Sequence, residues 1–302
     1  MILVTNSLRC EDNSSTIVPM NYLRSYRKEF PYISKRGGLS LYLDDEASND
    51  ILEPIAELIA QRKKVSMRRC VSGCMRGEHS HLFVKTAELE SFPSRIRATL
   101  GLQRKLIGYE WPVAELINTL DAQRNGAPVA RLRGYGIRRQ ATLVCELFLL
   151  SEVLVGYVDG KLWLSEPRSP EQIELFLLCV FELMHKLHQV QVCHLDLWVG
   201  NIMLKPDNFA DMKVVDLENC YIGRPTHWSE ALGFQFAFLY LRMVSEHIDE
   251  ARYDQMVAVA VNAYPGLDRA AFERIYTACK HRQISRKKRR TLLLKGELQL
   301  RG

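Results

Sequence analysis

No stretch of this 302-residue chain approaches the roughly eighteen consecutive apolar residues of a membrane-spanning helix. The two longest apolar runs, 143–150 and 175–184, are broken by Glu146 and Glu182. The opening Met1-Ile2-Leu3-Val4 lacks the basic n-region of a secretory signal and soon meets Glu11 and Asp12, so no signal peptide is expected. Internal repeats and low-complexity tracts are missing too. The eight cysteines are scattered, several within apolar runs, where a free thiol behaves as a small buried hydrophobe. Without a secretory signal, that distribution predicts a reduced, cytoplasmic protein. Cys70 and Cys74, with His79 and His81 nearby, have the wrong step for a zinc knuckle and no second cysteine pair follows. They are expected to be ordinary strand residues.

Against those absences stand 47% hydrophobic residues and a net charge of +6. The apolar content supports a sizeable core, and the length suits one two-lobed domain or two small ones. Part of the charge is local. Arg286-Lys287-Lys288-Arg289-Arg290 lies just ahead of Leu292-Leu293-Leu294. Such a run is ordinarily a solvated helix face; its functional reading is contact with an anionic surface such as inner-leaflet lipid or a phosphorylated saccharide. No aromatic-interleaved basic stretch is present, so no nucleic-acid partner is expected.

The most informative stretch is His194-Leu195-Asp196-Leu197-Trp198-Val199-Gly200-Asn201, followed by Val214-Val215-Asp216. It reads H-x-D-L-x-x-x-N and then a terminal aspartate, the spacing of a kinase catalytic loop and its second metal-binding carboxylate. Phosphoryl transfer needs a carboxylate to orient the attacking hydroxyl and oxygen ligands to hold Mg²⁺ on the phosphates. Asp196 supplies the first, with His194 heading the loop as a second catalytic candidate, and Asn201 and Asp216 supply the metal ligands. The surroundings agree. Residues 171–189 read as a helix whose apolar face carries Leu175, Leu178, Cys179, Phe181, Leu183 and Leu187. Residues 202–205 and 212–216 read as a hairpin around Pro206-Asp207-Asn208. His185 and His188, on the preceding helix, are assigned to packing or surface.

Upstream, residues 50–62 predict a helix with Ile51, Ile55, Leu58 and Ile59 on one face. From about residue 65 the pattern turns to short strands, three of them expected before Lys85. Lys85 closes an apolar run as the V-A-I-K lysine closes its strand, which would place an ammonium on the α/β-phosphates of ATP. Gly73 and Gly77 could cover phosphates but do not make G-x-G-x-x-G. A helix over 98–123 would supply a glutamate for Lys85. Glu110 is the first choice and Glu115 the second, although Pro112 implies a kink or a helix start. The run ending near Glu146 is read as the interlobe hinge that meets adenine.

Two features depart from a protein kinase. Trp198 stands two residues after the catalytic aspartate, where protein kinases carry a lysine, and Asp216-Leu217-Glu218 replaces Asp-Phe-Gly. An apolar helix over 229–244 then follows too closely to leave room for a peptide-docking activation segment. Phe83-Val84-Lys85, Glu110-Trp111, Gly126-Ala127-Pro128-Val129, the Leu143–Glu146 run, the catalytic loop and Val214-Val215-Asp216-Leu217-Glu218 resemble the lipopolysaccharide kinase family, the Kdo/WaaP kinases and InaA-like proteins. The resemblance covers roughly residues 65–245. It implies an α+β, bilobal protein-kinase-like fold, with a small antiparallel N-lobe sheet, one main helix and a mostly helical C-lobe. Residues 1–64 would be an N-terminal extension, 65–150 the N-lobe and 151–302 the C-lobe with its basic tail. It further implies ATP and Mg²⁺ as cofactors and transfer to a heptose or Kdo hydroxyl of the lipopolysaccharide inner core, at the cytoplasmic face of the inner membrane. The basic tail would touch that membrane. The Leu197-Trp198 pair also resembles aminoglycoside and fructosamine kinases. A soluble small-molecule kinase and a nucleotide-binding regulator without activity therefore stay open.

Overall fold

The structure, a computed structural model, describes residues 26–46, 51–65, 70–104 and 108–298. Its first half runs β1 (Tyr32–Arg36), β2 (Leu39–Leu43), α1 (Leu52–Val65), β3 (Cys70–Cys74), β4 (Leu82–Glu88), α2 (Phe92–Leu100), α3 (Trp111–Arg124), β5 (Leu132–Gln140) and β6 (Leu143–Glu152). The strands form one antiparallel six-stranded sheet in the order β1-β2-β5-β6-β4-β3. Strand β6 reads as an almost unbroken apolar run because both faces of the sheet are covered. Leu147 and Leu149 pack with Val113, Leu116 and Leu120 of α3, whereas Phe148 and Leu150 pack with Ile51, Ile55 and Ile59 at and along α1. A Cβ on Gly136 would lie 2.3 Å from Leu41 Cδ2, so that glycine lets β2 close onto β5.

Three expectations are corrected here. Residues 39–43 pair directly with β5, so the sheet does not divide at residue 64. Between residue 65 and Lys85 the structure describes two strands rather than three, residues 66–69 lying outside the described residues. The expected helix over 98–123 is two helices. Gly101, with φ of 68°, caps the first in the left-handed conformation, and Pro112 sits in the first turn of the second. Proline has no N–H to give and fits only at a helix start, so Glu110 falls at the N-cap, outside the helix proper.

The second half contains β7 (Val158–Asp159), α4 (Gly160–Ser165), α5 (Pro170–Gln189), β8 (Val192–His194), β9 (Ile202–Lys205), β10 (Asn208–Val214), β11 (Cys220–Ile222), α6 (Trp228–Leu241), α7 (Glu250–Ala260), α8 (Arg269–Cys279) and α9 (Arg286–Lys295). A capping box between Ser169 and Gln172 starts α5. The buried face of α5 carries Ile173, Phe176, Leu177, Val180, Phe181, Leu183, Met184 and Leu187, while Leu175 and Leu178 of the expected face are half exposed. At the centre lies α6, buried almost all round, with Phe234, Phe236 and Phe238 among its core residues. No helix among the described residues is long and apolar enough to cross a membrane.

Candidate active site

The catalytic loop leaves β8 with alternate residues turned inward. Leu195, Leu197 and Val199 are fully buried, which leaves Asp196 on the opposite side. Trp198 lies so close over Gly200 that a Cβ there would stand 2.5 Å from the indole ring. The backbone pairing of β8 with β11 ends where the Leu195 N–H donates to the Asn219 carbonyl, and side chains then hold the loop. The Asp196 N–H donates to His194 Nδ1 at 3.2 Å, and His194 Nε2 donates to the Val215 carbonyl at 3.2 Å. That pattern assigns the neutral tautomer with its proton on Nε2, and burial holds the imidazole below its ordinary pKa. His194 therefore ties the loop to the Asp216 segment and has no nitrogen left for a proton transfer. Its expected catalytic role is replaced by a positioning one.

Gln235, a lone amide in the apolar α6, donates to the His194 carbonyl at 3.0 Å. Its Oε1 accepts from His188 Nε2 at 2.6 Å, and burial pushes the His188 pKa down to about 4. His188 thus orients Gln235, and Gln235 orients the loop.

The hairpin forms as expected: β9 and β10 are antiparallel, with Val214 opposite Ile202. The Val215 N–H donates to the Asn201 carbonyl at 3.0 Å, and Asn201 Nδ2 donates to the Asp196 carbonyl at 3.0 Å. With its amide nitrogen committed, Asn201 presents its Oδ1 as a hard donor. Asp216 takes a left-handed conformation, with φ of 63° and ψ of 56°. For a residue other than glycine such a conformation costs about 1–3 kcal/mol, and it turns the carboxylate back across the cleft.

There Asp216 Oδ1 meets Lys85 Nζ at 2.8 Å, and the same ammonium meets Glu115 Oε1 at 2.7 Å. The lysine partner is therefore Glu115, not Glu110. Glu115 lies on α3 one turn from Asn118, whose Nδ2 holds the Leu217 carbonyl at 2.8 Å, so one helix face docks on the segment after Asp216. Glu110, displaced to the N-cap by Pro112, pairs with Arg97 at 2.6 Å. Burial opposes the charge on Lys85, but the two carboxylates overcome it and raise its pKa. Burial raises Glu115 to about 7, with Asp216 and Glu218 adding to the effect and Lys85 opposing it.

Glu146 does not sit at the hinge. It lies inside β6, fully buried, opposite Glu88 and Arg138 in the sheet, and pairs with Arg138 at 2.8 Å. The lobes are joined further along, where the Val153 N–H donates to the His81 carbonyl at 2.8 Å.

Part of the basic run faces inward. Arg289, with 6% of its side chain exposed, bonds Asp196 Oδ1 at 2.6 Å and the Leu195 carbonyl at 3.1 Å, and its guanidinium lies 4.1 Å from the Phe238 ring centroid. Arg290 bonds the Glu218 carbonyl and Asn219 Oδ1. Arg286, 60% exposed, reaches Asp196 Oδ2 at 3.4 Å and forms an ion pair with Glu218. The expectation of a solvated or membrane-facing run is corrected for Arg289 and Arg290; Arg286, Lys287 and Lys295 are exposed.

With that geometry in place, the sequence model of the lipopolysaccharide kinase (Kdo/WaaP) family matches residues 47–258, well over half of the chain. The chain belongs to that family. No curated protein matches it. Among solved structures it is similar to WaaP in complex with acyl carrier protein, at 18% identity and a TM-score of 0.49, covering 79% of this chain and 98% of that one. It is also similar to a divergent kinase lacking the glycine-rich loop that regulates membrane ultrastructure of the Toxoplasma parasitophorous vacuole. That match has 13% identity and a TM-score of 0.45, and covers 88% of this chain and 93% of that one.

As a Kdo/WaaP kinase the protein is an ATP-dependent phosphotransferase with a bilobal, protein-kinase-like fold. Its cleft suits magnesium. Carboxylate oxygens of Glu115, Asp216 and Glu218 lie within 4.8 Å of one another, and Glu115 Oε2 is buried without a hydrogen-bond partner. Hard cations take such oxygen donors. Sequence reasoning missed Glu218, Gln235, Arg286 and Arg289 as site residues. A signal existed for Gln235, the one amide in an apolar helix, but the arginines looked like any charge run.

Proposed function

We propose that this Kdo/WaaP kinase uses ATP and Mg²⁺ to phosphorylate a heptose or Kdo hydroxyl of the lipopolysaccharide inner core, at the cytoplasmic face of the inner membrane. The observation that carries the reading is one convergence: Asn201 is hydrogen-bonded to Asp196 and to Val215, the neighbour of Asp216, and Lys85 joins Asp216 to Glu115 across the cleft. In this reading Asp196 orients the acceptor hydroxyl, Lys85 holds the α/β-phosphates, and Asn201 and Asp216 hold the metal, with Glu218 beside them. A magnesium ion so held neutralises charge on the triphosphate. His194, Gln235 and Arg289 keep the carboxylate in place. In this reading the segment that follows β6, rather than Glu146, meets adenine.

Charge beside Asp196 favours an anionic saccharide over an aminoglycoside. Arg286 and Arg289 touch Asp196, and Arg242 stacks on Trp198 at 4.7 Å, a poor setting for a polycation. Membrane proximity follows from the acceptor and not from the basic run, whose arginines are engaged at the cleft. Deletion should remove phosphate from the inner core, read by ³¹P NMR and mass spectrometry of the purified saccharide. A wild-type copy should restore it and an Asp196→Ala copy should not. Unchanged core phosphate in the deletion strain would end this reading; the phosphorylated sugar identifies heptose or Kdo.

A further inference from the structure

The catalytic loop of a protein kinase carries a lysine two residues after its aspartate; here that place is Trp198, covered by Arg242. The loop itself therefore presents no cation to the phosphoryl group in transit. Helix α9 presents two guanidiniums to the same carboxylate, and they differ in kind. Arg289 is buried, fixed by the Ile284 and Leu195 carbonyls and by Phe238, and closes on Asp196 Oδ1 at 2.6 Å. Arg286 is exposed and holds Asp196 Oδ2 loosely at 3.4 Å. Its other contact is Glu218, a member of the carboxylate cluster that includes Asp216. Arg286 thus spans the gap between the carboxylate that meets the acceptor and the carboxylates that face the metal. The transferring phosphoryl group must cross that gap.

We infer that Arg286 is a catalytic arginine supplied in cis by the C-terminal helix, stabilising the transferring phosphoryl group in place of the missing loop lysine. Arg289 is a positioning residue that holds Asp196 by Oδ1 and leaves Oδ2, held only loosely by Arg286, to be taken by the acceptor. The inference rests on the kinase reading above. In the step, a lone pair of the acceptor oxygen forms the new O–P bond. The bond from the γ-phosphorus to the β,γ-bridging oxygen breaks, its electron pair leaves with ADP, and the hydroxyl proton passes to Asp196 Oδ2. As the acceptor takes Oδ2, the Arg286 guanidinium moves onto the equatorial phosphoryl oxygens, where negative charge is spread in the transition state.

The test uses the full-length protein with Mg²⁺-ATP and water as the acceptor, so no saccharide need be identified. Arg286→Ala should lower kcat for ATP hydrolysis by about 10³-fold, the low end of what an arginine at a γ-phosphate contributes. The KM for ATP should stay within about threefold, because the side chain acts on the transition state and not on bound ATP. A readout independent of turnover is calorimetric binding of ADP with aluminium fluoride. Arg286→Ala should weaken this complex at least about 10²-fold and leave ADP alone unchanged. Arg286→Lys, or free guanidinium added to the alanine variant, should recover part of kcat. Unchanged kcat and unchanged aluminium fluoride affinity would overturn the inference, as would faster hydrolysis, which would make Arg286 a brake. A raised KM for a phosphate-free core oligosaccharide at unchanged kcat would assign the residue to acceptor binding instead. A wild-type protein that neither binds nor hydrolyses ATP would overturn the kinase reading itself.

Discussion

Replacing Arg289 by methionine should destabilise the C-terminal lobe by about 3 kcal/mol. The guanidinium is almost wholly buried and makes three hydrogen bonds, to the Ile284 and Leu195 carbonyls and to Asp196, while stacking on Phe238. Removing one partner of a buried ion pair costs roughly 3–5 kcal/mol, because the other charge is left without compensation. Two features move this case to the lower end. Asp196 keeps Arg286 as a second partner, and methionine refills much of the apolar contact with Phe238. With an unfolding entropy of about 2.1 cal/mol/K per residue, the 302-residue chain loses about 5 °C in Tm for 3 kcal/mol. Differential scanning calorimetry reads the shift directly. Arg286→Ala is the control, since an exposed pair contributes only about 0–1 kcal/mol. A double-mutant cycle with Asp196→Asn should give a coupling of at least about 1.5 kcal/mol. If Arg289→Met melts within a degree or two of wild type, or the coupling is near zero, the arginine is not what holds the Asp196 carboxylate.

Glu115→Ala should lower kcat/KM by about 10²-fold by freeing Lys85 from its clamp. Glu110→Ala should cost about 1–2 kcal/mol of stability through Arg97 and leave steady-state rates within twofold; the reverse pattern would reinstate Glu110 as the lysine partner. Nucleotide binding should depend on pH with a defined sign. Burial raises Glu115 to about 7, so the carboxyl takes up a proton as pH falls through 7, and the anion that holds Lys85 within the carboxylate cluster is lost. Affinity for Mg²⁺-ADP should fall about tenfold from pH 8 to pH 6, and Glu115→Gln should flatten that profile. A profile equally steep in Glu115→Gln would assign the proton to another group.

Part of this protein was legible before any fold was known. The spacing from His194 through Asn201 to Asp216 lies within one loop and one hairpin. The geometry is local there, and the order of residues nearly dictates it. The choice between Glu110 and Glu115 was not legible, because it depends on where Pro112 starts a helix and which face of that helix turns toward the lysine strand. Glu146 was misplaced because a buried carboxylate paired inside a sheet looks the same in sequence as one ending a strand. His194 had the right position and the wrong task; only its two hydrogen bonds show that both nitrogens are engaged. Arg286 and Arg289 stand some ninety residues beyond Asp196 in the chain. Whether a basic run meets solvent, lipid or a carboxylate depends on where the last helix packs, and that long-range contact has no signature in residue spacing. Sequence alone pointed to the chemistry of the loop through its local spacing, whereas the packing of α3 and α9 decided which charges surround it.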